Sequence, residues 1–399
     1  MLPLHSLSYS LPYILVFILL YVVALPVTTR QGALVNRIPQ VQFLFLTLFF
    51  FIGLRGYIYT DWKNYVPFWD SCPSLGNGLS LVLDYIRTSP YSLWEKGFVL
   101  YGVILKTINS SWIFFQSISF IIDFVVLYYF FRRYLSEHMV LAFCVWYIFS
   151  GLIGHSLSVN LLRNSKSLLF FLFSIRYLEN RKCIKYIMFN IFGMFFHVSS
   201  IIYIPLYFIL YKKWNDKIVF GLFLFGNFIY LFQIKWAISI IGIIADIFPG
   251  RIGNIAQSYL SSEKWSTGYG LSIGFIERTV TFILFFYFRR KLMMNTVKVV
   301  LYNILYLYVF SYLYFSEMRI LTDRIPILFS CSYWFLFPEL YSNLKKDFKV
   351  LFLLLFLLYS ILKIISANNS ILVMYDNLLF QNFSFSDRML YNKLFFGQE

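Results

Sequence analysis

The chain has 399 residues, 60% of them hydrophobic and only 13% charged, which is more apolar surface than a soluble globule of this size can bury. Its net charge of +16 comes in short basic clusters between apolar runs, which excludes the continuous basic face of a nucleic-acid binder. What remains is an all-α, polytopic integral membrane protein.

Apolar runs of roughly 17 to 25 residues, enough for a helix to cross about 30 Å of hydrocarbon, fill most of the sequence. The first, residues 11–25, follows no basic segment and precedes no small-residue cleavage site, so it reads as a retained helix. Residues 1–29 contain no Lys or Arg, whereas Arg30 and Arg37 follow; the positive-inside rule therefore places the N-terminus outside. A second helix, 38–54, leads to a long outer loop, 55–96, and then to a short apolar piece, 98–108, at the interface. The span 112–131 returns to Arg132 and Arg133. Residues 139–154 go out and 166–178 come back to Arg176, Arg181, Lys182 and Lys185, with His155, Asn160, Arg163, Asn164 and Lys166 around the outer turn.

The run 184–211 breaks the alternation, because a single span puts Lys212, Lys213 and Lys217 outside. Two half-length helices meeting near His197 and Ser199 restore it, and such breaks are tolerated where they line a protein cavity. Spans follow at 217–233, 271–288, 297–315, 325–342 and 350–366, with outer segments at 235–270 and 316–324 and an outer tail at 367–399. The sum is about 10–12 transmembrane helices including the broken pair, in one integral membrane domain with both termini outside.

Candidate chemistry gathers at the outer helix ends. With four scattered His and no HExxH or close Asp pair, no metal and no cofactor is expected. No Gly-rich phosphate loop is present, and the inner loops are too short for a nucleotide-binding domain. Arg55, Arg163, Arg251, Arg319 and Arg324 offer planar forks suited to phosphate or pyrophosphate, with Asn164 beside one of them. Arg163 and Arg324 stand out, because a charge at helix-centre depth costs on the order of 2.5 to 3.5 kcal/mol. An Arg at a helix end also serves as a plain interfacial anchor. Asp61, Glu95 and His197 are the candidate acids or bases, each near a helix end. Their structural alternatives are pairing of Asp61 with Lys63 or Arg55, pairing of Glu95 with Lys96, and packing of His197 behind two Phe. Trp62 and Tyr65 lie in an aromatic loop whose rings suit a sugar, although belt positions account for Trp equally well.

In order and spacing these pieces resemble the EpsG/Wzy family of bacterial polysaccharide polymerases. They are Gly53-Leu54-Arg55; Thr60-Asp61-Trp62 with Tyr65; Glu95-Lys96-Gly97-Phe98; Leu162-Arg163-Asn164; Phe196-His197-Val198-Ser199; and Asp323-Arg324-Ile325. The chain departs from the family pattern at Tyr59, usually Gly, and at Asn164, usually Gln. The resemblance implies polymerisation of O-antigen, capsular or exopolysaccharide repeat units at the periplasmic face of the bacterial inner membrane. A growing glycan on undecaprenyl pyrophosphate passes to the non-reducing end of a new lipid-linked unit. The implied partners are that lipid-linked oligosaccharide, membrane lipid and a chain-length regulator protein, with no nucleic acid. A ligase moving finished glycan to another lipid shares this logic. A flippase for the same units is expected to show two similar halves, and none is evident.

Overall fold

The computed structural model describes residues 3–25, 38–135, 138–151, 156–247, 257, 270–380 and 383–397. Among them the regular structure is helical, with two isolated antiparallel bridges, His5 with Ser370 and Arg55 with Asn377. The chain forms two compact units, Met1–Tyr207 with Phe337–Glu399, and Phe208–Leu336.

In the first unit, α1 (Leu11–Ala24) is followed by α2 (Ile38–Leu48), which widens into a π turn over Phe49–Gly53. Two short helices, α3 (Trp62–Ser71) and α4 (Leu79–Thr88), occupy the long segment 55–96. Then come α5 (Lys96–Ile108), α6 (Trp112–Tyr134), α7 (Met139–Trp146) with a second π turn at Tyr147–Gly151, α8 (Leu162–Glu179) and α9 (Cys183–Met194). The break predicted near His197 is present: α9 stops, a 3-10 turn covers Val198–Ile202, and the four-residue α10 (Tyr203–Leu206) follows. The second half is thus shorter than a half-length helix.

The second unit holds α11 (Asp216–Phe232), α12 (Ala237–Ile247), α13 (Ile273–Leu292), α14 (Thr296–Tyr314) and α15 (Arg319–Arg324). Gln233, at φ 50°, ends α11 in the left-handed region, and α12 leaves at 83°. Phe223 stacks on Phe282 at 3.9 Å, and Arg278 lies 3.9 Å over the Tyr312 ring, so aromatic faces hold α11, α13 and α14 together. The chain re-enters the first unit within α16 (Cys331–Asn343) and continues through α17 (Lys346–Ala367) and α18 (Phe385–Phe396).

Among the described residues four helices are long and apolar enough to cross a membrane, or five if the bent α11–α12 pair is one span. The difference from the sequence count has a local cause. The predicted spans 38–54 and 139–154 each divide into a short helix and a π turn, and α8 carries Arg163, Lys166, Arg176 and Glu179 within its 18 residues. The first π turn delivers the chain to the segment that carries Arg55 and Asp61, as such turns often do at functional sites.

Packing in the first unit is aromatic. Phe17 of α1 meets Tyr147 at 6.5 Å and Phe356 of α17 at 6.0 Å. Tyr65, Phe68 and Trp69 of α3 share a core with Phe98 of α5, Phe115 of α6 and Leu162 of α8. That core fixes the segment 55–96 to the helices that carry the candidate residues.

Candidate active site

The segment after the first π turn is held by the C-terminal tail. Gly56 N–H donates to the Asp376 carbonyl at 2.8 Å, Tyr59 N–H to Leu372 at 2.8 Å, and Leu378 N–H to Leu54 at 2.8 Å. Gly56 is required by this approach, since a Cβ there would stand 2.9 Å from the Asp376 side chain. Tyr59 takes φ 69°, the conformation Gly adopts most easily, at the position where the family pattern has Gly. The turn then presents the N–H groups of Thr60 and Asp61 to the Asn160 side-chain oxygen, at 3.3 and 2.8 Å. Asp61 is thereby placed, half-buried, at the head of α3.

Tyr65, one turn along α3, carries the chain of contacts onward. The charge of Arg163 acts on its phenol and favours the ionised form. Burial, and after it the charge of Asp61, push that phenol up to about 12, so it stays protonated at neutral pH. Arg163 also pairs with Glu95 at 2.7 Å and lies 4.5 Å over the Trp94 ring. Its Nε meets no hydrogen-bond acceptor among the described residues. The fork is therefore fixed on one edge and on one face. Lys96, the alternative partner for Glu95, turns instead to the carbonyls of Ile86 and Ser92 at 2.8 and 2.6 Å.

The spacing of Glu95-Lys96-Gly97-Phe98 follows from what lies against it. Glu95 Oε1 accepts the Val198 N–H at 3.1 Å, and Phe98 N–H donates to the Phe195 carbonyl at 3.2 Å. A Cβ on Gly97 would sit 2.6 Å from that same Phe195 oxygen, so only Gly admits the loop. The turn 195–199 hangs on the head of α5, and Glu95 joins it to Arg163.

His197 caps this turn. Its Nδ1 accepts the Ser199 N–H at 3.1 Å and lies 2.8 Å from Ser199 Oγ, which Asn164 Nδ2 approaches at 3.4 Å. A backbone N–H can only donate, so in the neutral ring the proton sits on Nε2. His197 is thus set up as a donor at Nε2.

The structure brings Asp61, Tyr65, Glu95, Arg163, Asn164 and His197 into this one chain of contacts. Trp62 and Arg55, in the same unit, are engaged otherwise. Trp62 is buried, donates its indole N–H to the Tyr59 carbonyl at 2.9 Å, and packs against Tyr57 and Phe385. Arg55 is 4% exposed and points inward, donating to the Ile52 carbonyl at 2.7 Å, while its own carbonyl accepts from Gln116. Arg319 is exposed and Arg324 half-buried on α15 of the second unit. Arg251 lies outside the described residues.

The contacts of three elements escaped the sequence reading. Asp123, a lone carboxylate inside the apolar run of α6, forms a buried ion pair with Lys166 and accepts from Ser165 at 2.9 Å. Lys166 also donates to the Ser119 carbonyl at 2.7 Å. Asn160 orients the Asp61 turn, and the tail residues 372–378 brace it. The signal for Asp123 was available, since an ionisable residue in a membrane span is retained only with a partner. Nothing in the local sequence of the tail indicates its pairing.

Residues 40–382 match the EpsG family. No curated protein and no solved structure matches the chain.

Proposed function

The chain belongs to the EpsG family, and we propose that this multi-pass membrane protein is a lipid-linked oligosaccharide polymerase. In this reading it is a metal-independent glycosyltransferase of the bacterial inner membrane, with both termini, its tail and its site on the periplasmic side. It moves a growing glycan from undecaprenyl pyrophosphate to the non-reducing end of a new lipid-linked repeat unit. A chain-length regulator is the protein partner this reaction calls for.

The observation that carries the reading is the fixed Arg163 fork, gripped by Glu95 and Trp94 and joined through Glu95 to the His197 turn. In the reaction, Asp61 takes the proton of the acceptor hydroxyl as its oxygen bonds to the anomeric carbon. The bond from that carbon to the pyrophosphate oxygen breaks, and the lipid pyrophosphate leaves with both electrons. Arg163 and the Nε2–H of His197 donate to the leaving oxygens, where charge develops. Glu95, with one oxygen on Arg163 and the other on Val198 N–H, holds both donors in register and is a positioning residue.

Two carboxylates, Asp61 and Glu95, stand against one guanidinium here, so the cluster by itself suits the acceptor sugar and one edge of the leaving group. The rest of the pyrophosphate charge requires cations from outside the cluster.

A deletion strain tests the class of reaction. Deletion of a polymerase leaves glycan of a single repeat unit on the surface and removes long chains. Loss of even the single unit indicates a flippase or a ligase and overturns the reading.

A further inference from the structure

A cationic cavity lies away from the candidate active site, between the C-terminal ends of α6 and α8. It encloses about 480 Å³ and is lined by Arg132, Arg133 and Arg176, with Val126, Tyr129 and Phe173 along the apolar wall. Arg163 and Arg176 are both on α8, 13 residues apart, which at 1.5 Å per residue separates the two sites by about 20 Å. The polymerase chemistry does not use this cavity.

Its charge is only partly matched. Arg133 reaches Glu179 at 3.4 Å. Arg132 donates to the Tyr128 hydroxyl at 3.3 Å, and Arg176 lies 4.5 Å over the Tyr177 ring; neither has a carboxylate partner among the described residues. The Nε of Arg176 is buried with no hydrogen-bond acceptor. Helix C-termini repel anions, so attraction here has to come from the guanidinium forks themselves. Next to them, Val125, Tyr129 and Phe173 are exposed on the outer surface of the helices.

We propose that this cavity binds one anionic phospholipid, with its phosphodiester on Arg132 and Arg176 and its acyl chain along Val126, Tyr129 and Phe173. The form of the cavity selects this occupant over free phosphate. A phosphate ion needs only the forks, whereas the cavity has an apolar wall continuous with exposed apolar side chains on a helix able to cross a membrane. Basic recesses between membrane helices take anionic headgroups in this way.

The test is native mass spectrometry of the full-length protein in detergent, titrated with phosphatidylglycerol or phosphatidylcholine, with thermal unfolding followed in parallel. Phosphatidylglycerol should be retained about tenfold more tightly than phosphatidylcholine, and R132Q/R176Q should lose that preference. The control K345Q/K346Q removes the same charge from another basic cluster and should keep it. Should the Gln variant unfold, R132K/R176K keeps the charge but loses the forks and is expected to bind at least about threefold more weakly. Equal retention of both lipids, equal loss in the control, unchanged binding in the Lys variant, or displacement by millimolar inorganic phosphate each overturns the proposal.

Discussion

Glu95 and Arg163 act as a unit, because one holds the other at 2.7 Å while Trp94 covers the guanidinium face. Arg163→Lys keeps a charge but cannot keep both the Glu95 edge and a second pair of donors, and turnover should fall about 10²-fold at normal protein level. Glu95→Gln should lose a similar factor, and the double variant little more, as expected when two residues serve one function. Independent, multiplying losses in the cycle contradict the pairing. Gly97→Ala drives a methyl to 2.6 Å from the Phe195 oxygen. The cost is about 1 to 3 kcal/mol, seen as a lower unfolding temperature, and the 195–199 turn is displaced with it. Each of these residues was visible in the sequence as a motif position. Their contacts were not: the sequence offers Glu95 as an acid or base, and only the structure shows one of its oxygens on the Val198 N–H and the other on Arg163.

Helices α6 and α8 carry the site on a buried ion pair. Side chains of Asp123 and Lys166 are 5% and 4% exposed, so removing one partner leaves the other charged in an apolar interior. Asp123→Ala should destabilise by about 3 to 5 kcal/mol, whereas Asp123→Leu with Lys166→Met should cost far less. Equal losses in unfolding measurements on the two purified variants contradict a desolvation origin. The broken element at His197 was legible because charge parity demanded it. The π turns at Phe49–Gly53 and Tyr147–Gly151 were not, since hydropathy does not register how residues within an apolar run are wound. Nor was the tail: a polar stretch after the last span has no periodicity to read, yet residues 372–378 supply carbonyls and N–H groups to residues 54–59. Truncation after Ala367 should therefore abolish activity and lower stability, while the same cut leaves both intact if the tail is a mere appendage.

At the scale of the whole molecule, composition and basic clusters sufficed for an all-helical membrane protein, and ordered motifs for its family. The proposed active centre depends on Glu95 meeting both Arg163 and Val198, residues distant from it in the chain, a juxtaposition that no local pattern encodes. The proposed topology places Arg132, Arg181, Lys212, Arg289 and Lys345 in the cytoplasm and Asp61, Arg163 and Arg324 outside. Single cysteines at these positions should label accordingly. Labelling of a Lys212 position only from outside contradicts the arrangement. The most direct test is chain growth by the purified protein in vesicles, supplied with lipid-linked repeat units and followed by product length. Asp61→Asn, folded and at wild-type abundance, should still bind substrate yet lengthen chains about 10² to 10⁴ times more slowly than wild type. Near-normal growth by Asp61→Asn contradicts the assignment of the base and of this cluster as the active site.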